Sequence, residues 1–330
     1  MSNKKSNYHY NNPNTETLIL GVNAILKGYR RIGVSKHAIR ELIYEQTGQR
    51  SQSPYIHSRA TYETYRDIGI NYAIWVGENY PHIRTIKYAY KSGCAYDYIE
   101  MCKKSGRAEP TIAKWRCALA KIYGVPGSQI HNDIPPRLSE NIKRYRTYSY
   151  EDFLYALEIN ENTDIIWIAY MTGCRRCELK TLTKQCFRHK PDGSIWLHID
   201  GKKNDPKGGR TRDVYILPEH YDRLKRILAK YKRRELIYPR KKLKGVEFQS
   251  IRQMYAGNYY NAIARKYIPK GERMKNPDKG KSNSVPAIYR KRDGRIFDRK
   301  AMSIVSRSLG HNRVNVISIS YSRFCIPMAN

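Results

Sequence analysis

Residues 170–182 read YMTGCRRCELKTL, and how this stretch is read decides the rest of the chain. It closes a mostly apolar segment, TDIIWIAYMTG (163–173), whose length and terminal glycine predict a helix stopped at Gly173. Beyond it, Cys174 and Cys177 sit three apart, with Arg175 and Arg176 between them and Glu178 next. A CxxC pair suggests zinc or redox chemistry, but a zinc site needs about four ligands. No second pair follows at matching spacing, and Cys186 and His189 carry no knuckle-like motif. The arginines therefore carry the functional weight. We expect the cysteines to be packing residues, with no metal and no cofactor.

Charge points the same way. The 330 residues hold 62 Lys and Arg against 29 Asp and Glu, a formal net charge of +33 spread along the whole chain. Such an excess repels itself until phosphates neutralise it, which makes a long nucleic acid the expected partner. Tyrosine is abundant at 29 residues and phenylalanine scarce at 5, so most tyrosines must fill cores and only position can single one out. The seven cysteines, the absence of an apolar leader in MSNKKSNYHYNNPNTE and the lack of a bilayer-length apolar run predict a cytoplasmic, nucleoid-associated protein with reduced thiols and no membrane contact.

The length suits two domains. Residues 1–16 are polar and read as a disordered N-terminus. Residues 17–130 read as a helical, DNA-binding domain: SKHAIRELIYEQTG runs from a Ser35 cap to Gly48, and EPTIAKWRCALAKIYG runs from a first-turn Pro110 to Gly124. The Pro-rich, basic stretch 131–148 reads as a linker. A catalytic domain is expected over 149–330. It opens on a helix capped by Ser149 and continues with strands GSIWLHIDG (193–201) and TRDVYILP (211–218) around the turn KKNDPKGGR. Helices are expected in EHYDRLKRILAKYKRREL (219–236), in FQSIRQMYAGNYYNAIARKY (248–267) and over the last 40 residues, with a loop across 268–286. The fold class is mixed but mainly α, with a small antiparallel sheet in the second domain.

TGCRRCEL resembles the T-G-x-R-x-x-E-L box of the tyrosine recombinases, the phage integrase family. Further boxes follow in the family's order. PKGGRTRDVYIL resembles its β-hairpin G-K-G-G-K-T-R-x-V-P-L, which puts Lys207 on the catalytic lysine, with Lys202 and Lys203 as competing candidates. VPAIYRKR is matched to the H-x-x-R box at a helix start, with Arg290 as the second arginine and Ala287 where the family has histidine. In another register Arg292 or Arg295 takes that part. SRSLGHNRVNVISISYS resembles the L-G-H box, with His311 in the His/Trp position and Tyr321, ten residues on, in the place of the nucleophile.

The resemblance implies site-specific DNA recombination or integration through a 3′-phosphotyrosyl intermediate, as in the integrase of a mobile element. Tyr321 is then the nucleophile. Arg175, Arg290 and His311 stabilise the crowded phosphorane, Lys207 is the general acid, and Glu178 supports the fold around Arg175. Guanidinium groups suit the task because they stay charged and fork onto phosphate oxygens. With Ala287 in the histidine position, His311 carries more of the load, or Tyr289 or Lys291 reaches in. The family acts as a homo-tetramer on synapsed double-stranded DNA and is monomeric or dimeric otherwise. Only nine residues follow Tyr321, so a long exchanged C-terminal helix is not expected. Two other functions use much of the same residue set: type IB topoisomerase-like relaxation, and sequence-specific binding by a non-catalytic regulator.

Overall fold

The computed structural model describes residues 12–131, 133–134, 148–204, 210–239, 241–278, 283–291 and 293–328. The chain divides into two compact units, Met1–Lys143 and Arg144–Asn330. Most of the expected linker falls outside the described residues, as do residues 1–11 and Lys207.

The first unit is all helical: α1 (Pro13–Gly28), α2 (Lys36–Thr47), α3 (Arg59–Asn79), α4 (Ile86–Lys91), α5 (Cys94–Lys104), α6 (Glu109–Tyr123) and α7 (Gly127–Ile130). Helix α1 begins inside the stretch expected to be disordered. Asn12 caps it by accepting from the Asn14 N–H, and Pro13 tolerates the first turn, where no backbone donor is needed. Leu18, Val22 and Leu26, four apart, form its buried stripe. Tyrosines serve as core fillers here. Tyr72 and Tyr123 are joined by a 2.7 Å hydroxyl hydrogen bond, and Tyr72, Trp75 and Tyr98 meet at ring distances of 5.2–5.3 Å. Helix α2 has the expected Ser35 cap and a left-handed Gly48 stop, yet buries no residue.

The second unit opens with α8 (Tyr150–Glu158), whose Ser149 and Asp152 form a reciprocal capping box. The apolar α9 (Asp164–Thr172) and the one-turn α10 (Arg176–Leu179) follow. Strands β1 (Phe187–His189), β2 (Ile195–Ile199) and β3 (Arg212–Tyr215) form an antiparallel sheet in that order. Register pairs Trp196 with Tyr215 and Ile199 with Arg212, so Ile195, Leu197 and Ile199 turn inward. Helix α11 (Tyr221–Ala229) buries Leu224, Ile227 and Leu228 and leaves its basic residues to solvent. Helix α12 (Phe248–Ile263) is buried along nearly its whole length and packs against α9.

From there the structure departs from the sequence reading. Residues 268–286, expected to be loop, contain β4 (Arg273–Lys275) and β5 (Ser284–Pro286), which pair antiparallel. The C-terminal region, expected to be helical, first forms a hairpin of β6 (Ile288–Arg290) and β7 (Ile296–Asp298). Only then do α13 (Arg299–Ser308) and α14 (Asn315–Ser320) follow. Asp298 caps α13 through the N–H groups of Lys300 and Ala301. The molecule is mainly helical with small antiparallel sheets. Among the described residues no helix is long and apolar enough to cross a membrane.

Candidate active site

Gly173 ends α9 in the left-handed conformation, with φ +59°. A Cβ there would lie 2.3 Å from the Tyr255 ring, so both backbone and space require glycine. The turn delivers Arg175 to the start of α10, one helical turn from Glu178. The Glu178 carboxylate is fully buried. It accepts from the Arg175 backbone N–H at 2.7 Å and from the Arg175 Nη1 at 3.0 Å. Arg212, on β3, forks onto both carboxylate oxygens at 3.0 and 2.8 Å and donates its Nε to the Ser308 carbonyl at 2.9 Å. Burial pushes the Glu178 pKa up, but the Arg212 fork and the Arg175 N–H outweigh it, so the carboxyl is held below its ordinary value. Glu178 is thus a charged clamp between β3 and the Gly173 turn.

Arg252, on the first turns of α12, has a different environment. Its side chain is among the largest fully buried ones, at 1 % exposure. The guanidinium donates to the Gly173 and Leu309 carbonyls and, through Nε at 3.1 Å, to the Tyr321 hydroxyl. Among the described residues no carboxylate lies within ion-pair distance of it. Burial lowers its pKa, and nearby Arg175 adds to the effect. A buried cation with no counter-charge is costly, and its remaining N–H donors are suited to an anion.

Tyr321, just after α14, is 3 % exposed. Its oxygen receives Arg252 Nε and, at 3.3 Å, the Gln249 amide, while His311 Nε2 stands 3.3 Å away. Burial works to raise the phenol pKa. The field and hydrogen bond of Arg252, the Gln249 bond and the charge of Arg175 override it, leaving the phenol more acidic than an ordinary tyrosine.

The structure therefore gathers Arg175, Glu178, His311 and Tyr321 from the residues singled out in the sequence. It does not bring Arg290 to them. Arg290 is exposed on β6, opposite Ile296, and makes no side-chain hydrogen bond or ion pair among the described residues. Ala287 is a fully buried methyl whose N–H donates to the Glu272 carbonyl at 2.9 Å. It is a packing residue at a strand junction, not a vacated histidine position at a helix start. Arg252 and Gln249, three apart at the start of α12, are the residues that bond the phenol instead. They carry the same three-residue spacing at the start of a helix, and that context was the signal able to find them. Tyr289 bonds Ser318, Lys291 reaches Ser322 and Asp293, and Arg295 pairs with Asp293. Lys202 and Lys203 are exposed. Cys174 is buried against the clamp, and among the described residues no cluster of three or more His, Cys, Asp or Glu could hold a metal ion.

Two arginine systems and an imidazole thus gather around one buried phenol. No family model matches the sequence, and no curated protein matches it. Among solved structures the chain is similar to XerH site-specific recombinase bound to difH substrate in a pre-cleavage complex. The identity is 14 %, the TM-score is 0.49, and 94 % of this chain and 95 % of that one are covered. It is also similar to XerA recombinase at 13 % identity and a TM-score of 0.32, covering 91 % and 93 %.

Proposed function

We propose that the protein is a tyrosine-type DNA recombinase that cleaves and rejoins strands at a specific duplex site through a covalent phosphotyrosine. The observation that carries this reading is the Tyr321 hydroxyl. It is buried and bonded to the one buried guanidinium that lacks a carboxylate partner among the described residues.

The chemistry follows from the geometry. Arg252 and Gln249 fill the acceptor positions of the phenol oxygen, so its proton faces His311 Nε2. His311 accepts that proton as the oxygen attacks phosphorus. The P–O5′ bond breaks as the O–P bond forms, leaving a 3′-phosphotyrosyl linkage and a free 5′-hydroxyl. The imidazolium, Arg252 and Arg175 then face the extra negative charge of the phosphorane, as fixed donors that need no reorganisation. The leaving oxygen needs a proton, and Lys207, between β2 and β3 in the sequence, is the candidate donor. The bond energy stays in the phosphotyrosine, so religation to another strand needs no external energy source. The chain's excess of basic residues suits binding to the duplex backbone.

Incubating nicked suicide duplexes with wild type and Tyr321→Phe, followed by denaturing electrophoresis, tests this. We expect a covalent protein–DNA band in wild type and none in Tyr321→Phe. Tight duplex binding with no band on any site would leave a non-catalytic regulator. Relaxation of any supercoiled plasmid would point to a topoisomerase. A band that survives the substitution would mean another nucleophile.

A further inference from the structure

Helix α12 carries more than the two residues at the phenol. Gln253, Gly257 and Asn261, four apart, line one face of it, and the chain around and beyond Tyr321 runs along that face. Gln253 Nε2 donates to the Ser320 carbonyl at 2.8 Å. Asn261 grips the chain twice, donating to the Phe324 carbonyl at 3.0 Å and accepting from the Ile326 N–H at 2.8 Å. Between them, a Cβ on Gly257 would stand 2.3 Å from Phe324 Cβ and 2.7 Å from its carbonyl atoms. Two further anchors hold the segment. Arg323 donates to the Tyr148 carbonyl at 2.9 Å, and the Met328 N–H bonds the Ile296 carbonyl at 2.8 Å on the edge of the β6–β7 hairpin.

We propose that the Gln253–Gly257–Asn261 face of α12 is a positioning rail that sets the reach of Tyr321 by holding residues 320–326 of the same chain. The inference rests on the reading of Tyr321 as the nucleophile. Its logic is geometric. The helix that presents Arg252 and Gln249 also fixes the backbone on both sides of the tyrosine, so nucleophile and cation share one rigid element. A glycine at the centre lets the chain lie directly on the helix, and a polar residue four positions to either side satisfies backbone groups that would otherwise be left unpaired. Displacement of a reacting atom by about 1 Å can cost roughly a hundredfold in rate.

The experiment compares wild type, Gly257→Ala, Asn261→Ala and Asn261→Asp on a suicide duplex, measuring duplex affinity and the adduct rate at saturating DNA. The rail predicts unchanged affinity with adduct rates lowered roughly tenfold to a hundredfold in Gly257→Ala and Asn261→Ala. Asn261→Asp keeps the acceptor for Ile326 and should fall between Asn261→Ala and wild type. A pH series separates positioning from general damage. The groups facing the phenol are Arg252 and Gln249 from α12, His311 from the turn before α14, and Arg175 from the Gly173 turn. A tyrosine slipped away from them reverts toward an ordinary phenol, so the variants should regain rate as pH approaches about 10. A merely destabilised protein would not. Wild-type adduct rates in both Gly257→Ala and Asn261→Ala would overturn the rail and leave the nucleophile intact, as would a rate deficit that is the same at every pH. If Gly257→Ala does not fold, the two Asn261 variants decide. Absence of adduct in wild type would instead overturn the proposed function.

Discussion

The two ends of the site treat the same side chain in opposite ways. At the Gly173 turn, Arg175 and Arg212 share one buried carboxylate, which offsets one of their two charges. At the α12 end, Arg252 is buried as deeply but is met only by two carbonyls and a phenol. The first arrangement holds β3, α10 and the end of α13 together. The second is an unpaired positive charge that favours the phenolate of Tyr321. Buried charge is evidence of function where it is uncompensated and evidence of architecture where it is paired.

Substitution breaks that comparison most directly. Arg252→Met should lower the adduct rate about a hundredfold or more, by loss of a preorganised donor. It should cost little stability, because relief from burying a lone cation offsets the two carbonyls left without donors. Glu178→Gln should do the reverse in proportion. It leaves two guanidiniums around a neutral amide and should destabilise by about 3–5 kcal/mol. Thermal melts of both variants beside single-turnover adduct rates check the contrast, and equal losses of stability would remove it. The comparison sharpens with acid. Glu178 has a folded pKa below its ordinary value, so its contribution is fully present above the unfolded value of about 4.3 and is lost as pH falls through the folded one. The gap in melting temperature between wild type and Glu178→Gln should therefore hold from neutrality down to about pH 4.5 and close only below it.

How much of this was legible depends on range. Caps at Ser35, Gly48 and Ser149 and the β2–β3 alternation are local signals, and the structure repeats them. Arg175 and Glu178 lie within one turn of each other, and His311 and Tyr321 flank the short α14, so sequence spacing nearly sets their geometry. The β4–β5 and β6–β7 hairpins were hidden because each strand is three residues long, too short to display a period. Spacing alone also does not choose between Arg290 and Arg252 as the arginine at the phenol. Ala287…Arg290 and Gln249…Arg252 have the same spacing and neither begins with histidine. Only the fold separates them, putting one pair at the junction and end of two short strands and the other at the start of a buried helix.

Gln249 gives the smallest effect and the finest test of the α12 end. Its amide reaches the phenol oxygen, but an amide neither gives nor takes a proton. His311 is the imidazole already bonded to that oxygen. Gln249→His keeps a donor of similar reach and adds a second titrating group. If Gln249 serves only to hold the phenolate, the adduct rate at neutral pH should change by less than about tenfold, since the hydrogen bond is preserved. The pH–rate profile should gain an inflection near the imidazole value of about 6.5, because the new ring, once protonated, sits beside Arg252 and further favours the charged phenol. A profile identical to wild type would mean that the residue at 249 does not touch the reacting oxygen during cleavage, and that the bond to Tyr321 belongs to the resting site alone.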